Sequence, residues 1–453
     1  MLLLMKRMAQ DHRLPPMSME PAMFPIDTRT PHLWRKTSQE PDPSCLALQD
    51  HRDVDIAVIG GGFTGLSTGY HAAVKGLDVA ILEAAHIGGA ASGRNNGLIV
   101  PHHSKAAAED VVQAYGPACG ENYNRLVASV GEVSFELIRR HAIACHPVQT
   151  GWIQPAHSEA TLQRARQFYE GWRNRGIDVA WIDRTEMNDR LGTRSYTGGW
   201  IARGGGHINP LAFARGLARI AKSAGATVFE NSAVIAIEPK GERWQLRTSG
   251  GSLTARQVIV ATNALTGAFW PGLAQSLIPV QVYQVATDPV PASLRSQILK
   301  DNPAVSDMRR DIRAFHYDVD FRIVTGGTHT VWSRARERAL PKARRMLQDT
   351  FPELGAGTTV TEYWEGVLAV VPDRLPRLMR LAPNIHFAGV YSGRGVGLAV
   401  ALGERLSGWL AGEIGEADLP IPVTQMRPVP SHAVAVQLAR RIHPWHRLQD
   451  RFA

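Results

Sequence analysis

The feature that most restricts this chain is an apolar run that ends in glycines. Asp55–Gly60 reads DIAVIG and leads at once into GGFTG, Gly61 to Gly65. A short, continuous apolar stretch bounded by glycine marks a strand buried on both faces, as in parallel sheets. Leu66, Tyr70 and Ala73 then recur at helical spacing over residues 63–75, and Gly76 supplies the helix stop. A second apolar run, Leu77–Glu83, completes a strand–helix–strand unit of about 30 residues.

Gly60, Gly62 and Gly65 supply a G-x-G-x-x-G pattern. The first glycine permits the tight turn out of the strand, the second lets backbone approach a pyrophosphate, and the third allows close helix–strand contact. The helix start offers free N–H groups and a positive dipole end to the same pyrophosphate. Alone the pattern is weak. Here a strand precedes it, a helix follows, and the next strand ends in Glu83, 18 residues past Gly65, where an acid meets a ribose hydroxyl. A carboxylate at Glu83 repels a 2′-phosphate, which disfavours NADP and leaves NAD and FAD. The stretch after Glu83 separates these two. AAHIGGAASGRNNGLIVP, residues 84–101, is a small-residue loop able to wrap backbone around a bulky ligand, and a plain NAD dehydrogenase has no use for one there.

Further along, residues 107–142, 159–176 and 211–225 read as helices. Short strands are expected at 152–154, 179–182, 227–230, 233–238, 244–248 and 257–262, and a last buried strand at 385–390 with its helix over 395–412. The glycines of that helix weaken its propensity and imply close contact with a neighbour. Residues 280–287, 313–327 and 360–370 read as an antiparallel sheet with one wet face. Nucleotide-type pieces at both ends and in the middle, with antiparallel pieces between them, predict an α/β chain whose two lobes are interleaved in sequence. The expected division is an N-terminal arm over 1–53; cofactor-domain parts over 54–150, 205–270 and 367–412; substrate-domain parts over 151–204 and 271–366; and a C-terminal tail with a helix over 413–453.

Composition narrows the rest. The chain has 453 residues, 44% of them hydrophobic and 20% charged, an ordinary globular mix. Cys45, Cys119 and Cys145 are the only cysteines and form no CxxC pair, which fits a reducing compartment. The start, MLLLMKRMAQ, is too short in apolar residues for a secretory signal, and no run is long enough to span a bilayer, so a cytoplasmic protein is expected. The net charge of +9 is spread out, densest at Arg309-Arg310, Arg334–Arg345 and a last helix with Arg440, Arg441, Arg447 and Arg451. None of these has the aromatic interleaving of a nucleic-acid surface, and solvated helix faces are the reading. His102 and His103 could be ligands on spacing alone, but adjacent residues of a strand point oppositely, so no metal is expected.

Four blocks carry a resemblance that spans about residues 30–450: DVDIAVIGGGFTGLSTGYHAAVKGLDVAILEA; the ASGRNNG loop; GGGHINPLAFARGLARIAKSAGATVFENSAVIAI; and WEGVLAVVPDRLPRL together with NIHFAGVYSGRGVGLAVALGERLSGWL. The chain resembles the glycine oxidase/D-amino acid oxidase (DAO) superfamily of FAD enzymes and, within it, proteins of the γ-glutamylputrescine oxidase type. The resemblance implies a glutathione-reductase-like two-domain fold, with a Rossmann-type FAD-binding domain interleaved with an antiparallel-sheet substrate domain. It implies that Gly60, Gly62, Thr64 and Gly65, with Phe63 among them, hold the FAD pyrophosphate, and that Glu83, with Ala84 beside it, holds the adenosine ribose. Ser92, Gly93, Arg94, Asn95, Asn96 and Gly97 would line the turn from diphosphate to ring. Val234 would present backbone to adenine, and Thr262 and Asn263 would sit near the pyrophosphate. Gly393, Arg394, Gly395 and Val396 would run under the pyrimidine edge, where backbone N–H groups stabilise negative charge on the reduced ring.

Two departures matter. The usual YSGHG segment has Arg394 in place of its histidine, and this cation faces the flavin, an acidic substrate or solvent. Relatives with covalent FAD place a histidine in the small-residue loop, where this chain has Arg94, and no cysteine follows Cys145 for the alternative attachment. Non-covalent FAD is therefore expected. Substrate contacts are sought among His102, His103, Tyr283, Phe315, His316, Tyr317, Trp332, Trp364 and Tyr391. The implied chemistry is hydride transfer from the carbon beside the nitrogen of a small amine or amino acid to flavin N5, hydrolysis of the imine, and passage of electrons to O2. No catalytic acid or base is named. The rival readings are a dehydrogenase passing electrons to a quinone or carrier, a tRNA-modifying flavoprotein, and a non-catalytic FAD-binding subunit.

Overall fold

The computed structural model describes residues 30–329, 334–355, 357–439 and 450. Two large sheets organise them. In the first, His51–Ile59 lies between Val79–Leu82 and Ser252–Val260, and Thr227–Phe229 and Ile385–Gly389 extend it on either side, all parallel. Ala57, Val58, Ala80, Ile81, Val258 and Ile259 are fully buried, as expected of strands covered on both faces. The opening strand begins at His51 rather than at Val54, because residues 51–53 pair with Ser252–Thr254 as an exposed extension.

The helix Phe63–Val74 leaves that strand through the glycine turn and stops before Gly76, whose φ of +84° is the left-handed stop expected of it. The last helix, Gly395–Leu410, lies on it face to face. A Cβ at Gly403 would stand 2.6 Å from the Ser67 side chain, so glycine is what lets the two helices touch. Ser67 Oγ donates to the Val400 carbonyl across the same contact at 2.7 Å. The single helix expected over 107–142 is two, Ala108–Tyr115 and Pro117–Arg140. Gly116 at φ +81° and Pro117 at the first helical position break it.

The second sheet has the order 360–370, 278–289, 322–328, 314–317, 304–306, 152–156, 198–202, 179–182. Its pairs are antiparallel except that Ala304–Ser306 runs parallel to Trp152–Ala156. The run expected over 313–327 is a hairpin, turned at residues 318–321 where Asp318 Oδ1 accepts from the backbone N–H groups of Asp320 and Arg322. Strands of the two sheets alternate along the chain, the interleaved architecture of the expected fold class.

Three segments depart from the expected division. The stretch read as an arm is part of the body from residue 30 on. A short helix, Leu33–Lys36, buries Leu33 and Trp34 against Leu211, Ala286, Val324 and Trp364, because its two large apolar side chains find a gap between the lobes. The strand Val360–Val370 runs beyond the boundary placed after residue 366. The tail contributes Val423–Gln425 as a parallel edge strand beside Leu378–Arg380. Arg440, Arg441, Arg447 and Arg451 lie outside the described residues. Among the described residues no helix is long and apolar enough to cross a membrane.

Candidate cofactor and substrate site

At the carboxyl end of the opening strand, Gly60 adopts φ +113°, and a Cβ there would meet the Ala261 carbonyl at 2.9 Å. Gly62 is the extended N-cap of the helix, and a Cβ on it would stand 2.7 Å from Ser92 Oγ. A Cβ at Gly65 would fall 2.0 Å from the Gly60 carbonyl. Gly60 and Gly65 are therefore required by fixed backbone, whereas a Cβ at Gly62 would displace the Ser92 hydroxyl. Glu83 closes the turn from the side: one carboxylate oxygen accepts from Gly61 N–H at 2.8 Å and the other from Ala85 N–H at 2.9 Å. Burial pushes the Glu83 carboxyl above its ordinary range, and these two N–H groups oppose that. Ala84 beside it is exposed. A bare glycine turn, a helix start and a fixed carboxylate with lone pairs to spare fit a dinucleotide's pyrophosphate and ribose.

The small-residue loop is held from behind. Its short helix, Ala91–Arg94, includes Ser92, Gly93 and Arg94, and Ser92 Oγ accepts from Phe63 N–H at 3.0 Å, which ties the loop to the glycine turn. Asn95 folds onto its own loop, donating to Ala91 and Ser92 carbonyls and accepting from Gly97 N–H. The outward carbonyls are taken by aromatic donors: Trp364 Nε1 donates to Arg94 O at 2.9 Å and Trp34 Nε1 to Asn95 O at 2.8 Å. His316 Nε2 lies 2.8 Å from Asn96 O while its Nδ1 lies 2.9 Å from Tyr317 O. Burial lowers the His316 pKa to about 4 against those two carbonyls, and the His207 ring lies 4.2 Å away. Asn96 donates to Gln284 Oε1, and its own Oδ1 is buried without a partner.

Other expected residues converge on the same end of the parallel sheet. Ser232 N–H donates to the Glu83 carbonyl and Asn231 N–H to the Ala85 carbonyl, which brings the segment containing Val234 alongside Glu83. Thr262 and Asn263 follow the strand that flanks Gly60, and Asn263 Oδ1 accepts from Val390 N–H at 3.1 Å. Val390 and Ser392 have φ +62° and +48°. A β-branched residue there is strained by roughly 1–3 kcal/mol, a cost that marks turns fixed by their surroundings. Between them Tyr391 reaches back to Thr64, and Gly393 and Arg394 lead into the helix that begins with Gly395 and Val396.

Arg394 points inward. Its guanidinium lies 5.4 Å from the Trp152 ring centroid, and burial lowers its pKa to about 10. It lines a cavity together with His102, His103, Ser104, Tyr391 and Arg374. The expectation that His102 and His103 point oppositely fails because residues 101–107 are not a strand, so alternation does not apply. Among the described residues no group of three or more His, Cys, Asp or Glu could hold a metal ion.

The substrate candidates divide. His102 and Tyr391 line this cavity. His316 and Trp364 brace the loop through its carbonyls. Tyr283 and Phe315, expected as substrate contacts, are core residues instead. Tyr283 lies under the helix Ala335–Thr350 with Ala339 and Ala343, since its neighbour Gln284 takes the face toward Asn96 and side chains alternate. Phe315 packs edge-on against Phe351, and Tyr317 donates to the Ile298 carbonyl in the same core. Trp332 lies outside the described residues. The sequence reading missed Trp34, hidden in a Pro-rich polar stretch, and Arg374, whose only signal was its place beside the last parallel strand.

The family DAO, described as FAD dependent oxidoreductase, matches residues 55–409. Gamma-glutamylputrescine oxidoreductase of Escherichia coli (strain K12) is 31% identical over 82% of this chain and 87% of its own. The probable oxidoreductase OrdL of Rhizobium meliloti is 27% identical over 92% of this chain and 97% of its own. The crystal structure of glycine oxidase from Geobacillus kaustophilus superposes with a TM-score of 0.65 at 23% identity, covering 80% of this chain and 96% of that one.

Proposed function

Since the chain belongs to the DAO family of FAD-dependent oxidoreductases, with non-covalent FAD as its cofactor, we propose that it oxidises a carbon–nitrogen bond in a small amine or amino acid and delivers the electrons to O2. The observation that carries this reading is the Glu83 carboxylate, fixed by Gly61 and Ala85 N–H groups at the rim of a turn where Gly62 has no side chain. The names of the relatives support the substrate class: one acts on gamma-glutamylputrescine and another on glycine. FAD, when bound, accepts the two electrons and the hydrogen of the carbon–hydrogen bond beside the nitrogen. The residues of this chain orient rather than react. Gly60, Gly62, Phe63, Thr64, Gly65 and Glu83 hold the dinucleotide end, with Ala84 at its edge. Ser92 to Gly97 carry it toward the ring, Val234, Thr262 and Asn263 flank it, and Gly393 to Val396 close the far side with a helix start. The amine enters neutral, its lone pair assists, and the resulting imine takes up water to release a carbonyl product and ammonia or a smaller amine. Free thiols at Cys45, Cys119 and Cys145 support a cytoplasmic placement.

The test is anaerobic. Purified protein is mixed with a panel of amines and amino acids, and bleaching of the visible flavin absorbance identifies the substrate. Air is then admitted and peroxide assayed. Colourless protein that FAD does not reconstitute overturns the reading; bleaching that air does not reverse overturns the O2 step.

A further inference from the structure

His102 and His103 are 1% and 2% exposed and line one cavity. Trp172 Nε1, which only donates, stands 2.9 Å from His102 Nδ1. Nδ1 of His102 therefore accepts, and the proton of the neutral ring sits on Nε2. That N–H is buried with no partner among the described residues. His103 has the same tautomer and leaves its other nitrogen over. Asn124 uses its amide N–H groups on Ala108 O and Glu121 Oε2, so its Oδ1 accepts from His103 Nε2–H at 2.8 Å. His103 Nδ1 is then a bare acceptor, likewise buried with no partner among the described residues. Burial holds both rings below the ordinary histidine range, and so neutral.

A spare donor and a spare acceptor are thus buried side by side. The rings do not satisfy each other: their centroids are 6.2 Å apart and their planes are tilted by 52°. Buried polar atoms without a protein partner are rare, and an ordered water commonly completes them. The cavity fits that role and no larger one. Its volume, about 10 Å³ as space for the centre of a water-sized sphere, admits one water and excludes an amine or amino acid. The ligand must also take a proton's bond from His102 and give one to His103. Chloride only accepts. Ammonium only donates, and it would meet the charges of Arg394 and Arg374, which line the same cavity. Water does both.

We propose that this cavity binds one ordered water, which accepts from His102 Nε2–H, donates to His103 Nδ1 and accepts a further hydrogen bond from the Arg394 guanidinium. Three bonds are about the usual number for a buried water. The chain from Trp172 through His102, the water and His103 to Asn124 then has one polarity. Trp172 Nε1 cannot accept a proton, and Asn124 Oδ1 has none to give, so the chain carries no proton. The water is a fixed prop that gives a desolvated guanidinium an uncharged partner. The site goes beyond the functional reading and does not depend on it, because no step of flavin chemistry enters the argument.

Crystals of the yellow holoprotein grown in bromide test the site. One water peak between His102 Nε2 and His103 Nδ1, with no anomalous signal, is expected. An anomalous peak there means a bound anion and overturns the proposal, and so does a cavity without density. In solution, nitrogen NMR of histidine-labelled holoprotein should show both rings neutral and protonated on Nε2. A ring protonated on Nδ1 overturns the donor and acceptor assignment. Magnetic relaxation of the water oxygen counts long-lived internal waters. His103→Leu removes the acceptor and should lower that count by one, as should His102→Phe; an unchanged count in both folded variants overturns the proposal. The bromide and NMR experiments use the unsubstituted chain, so a variant that does not fold still leaves two decisive readings. Colourless protein would sink the functional reading while leaving the water to be found.

Discussion

The hydroxyl of Thr64 and the phenol of Tyr391 lie 2.7 Å apart, joining the first turn of the dinucleotide helix to the turn that opens the last one. Both are buried, so each satisfies the other. Tyr391→Phe and Thr64→Val should each cost about 1–2 kcal/mol in urea unfolding, and the double variant less than the sum. Strict additivity would show that the two hydroxyls do not depend on each other.

Gly62→Val places a branched side chain where even a Cβ stands 2.7 Å from Ser92 Oγ. The loop must move or the dinucleotide's path must fill. Purified variant should lose nearly all its flavin, read as the ratio of visible to protein absorbance, with Gly62→Ala intermediate. A yellow Gly62→Val protein would contradict the cradle.

Trp34 is 2% exposed, stacks on His316, meets Trp364 edge-on and donates to the Asn95 carbonyl. Trp34→Ala should destabilise by about 3–5 kcal/mol and weaken flavin retention, because the loop loses one of its braces. Trp34→Phe keeps most of the ring and forfeits the hydrogen bond, about 1 kcal/mol. Flavin retention indifferent to both would make the helix Leu33–Lys36 mere packing.

Stability should fall in mild acid. Burial lowers His103 and His316 to about 4 from an ordinary 6.5. Between those values the unfolded chain binds protons that the folded one refuses, so their contribution is whole above 6.5 and lost as pH falls toward 4. Glu83, raised by burial, acts oppositely, its folded form gaining stability as pH falls through its own pKa. With several histidines buried, the net loss from about pH 7.5 to about pH 4.5 should reach a few kcal/mol. Urea midpoints across that range measure it, and His316→Gln should flatten the slope. A midpoint independent of pH would show that these rings charge freely.

What could be read from the sequence was what local chemistry decides. The turn from Gly60 to Gly65, Glu83 at the end of its strand, the small-residue loop and the glycine-lightened last helix each announce themselves within a few residues. What could not be read depends on partners far along the chain. Nothing near Trp34 shows that its indole meets a carbonyl 61 residues away. Tyr283 and Gln284 are equally plausible until the register with Val360–Val370 decides which of them faces Asn96. The tautomers of His102 and His103 are set by Trp172 and Asn124, and no spacing rule reaches those. The break at Gly116-Pro117, by contrast, is written in the two residues themselves, a left-handed glycine followed by a proline at the first helical position.

The alternation of the two sheets along the chain has a consequence for synthesis. As the polypeptide leaves the ribosome, Ser252–Val260 can join His51–Ile59 early, but its other neighbour, Ile385–Gly389, emerges long afterward. Until then an apolar edge stands open to any passing strand. Neither sheet can be completed without strands of the other lying within the same stretch of chain, so nascent chains should lean on chaperones late in translation, and proteins cut at an interior bond should be recovered as aggregates rather than as working halves.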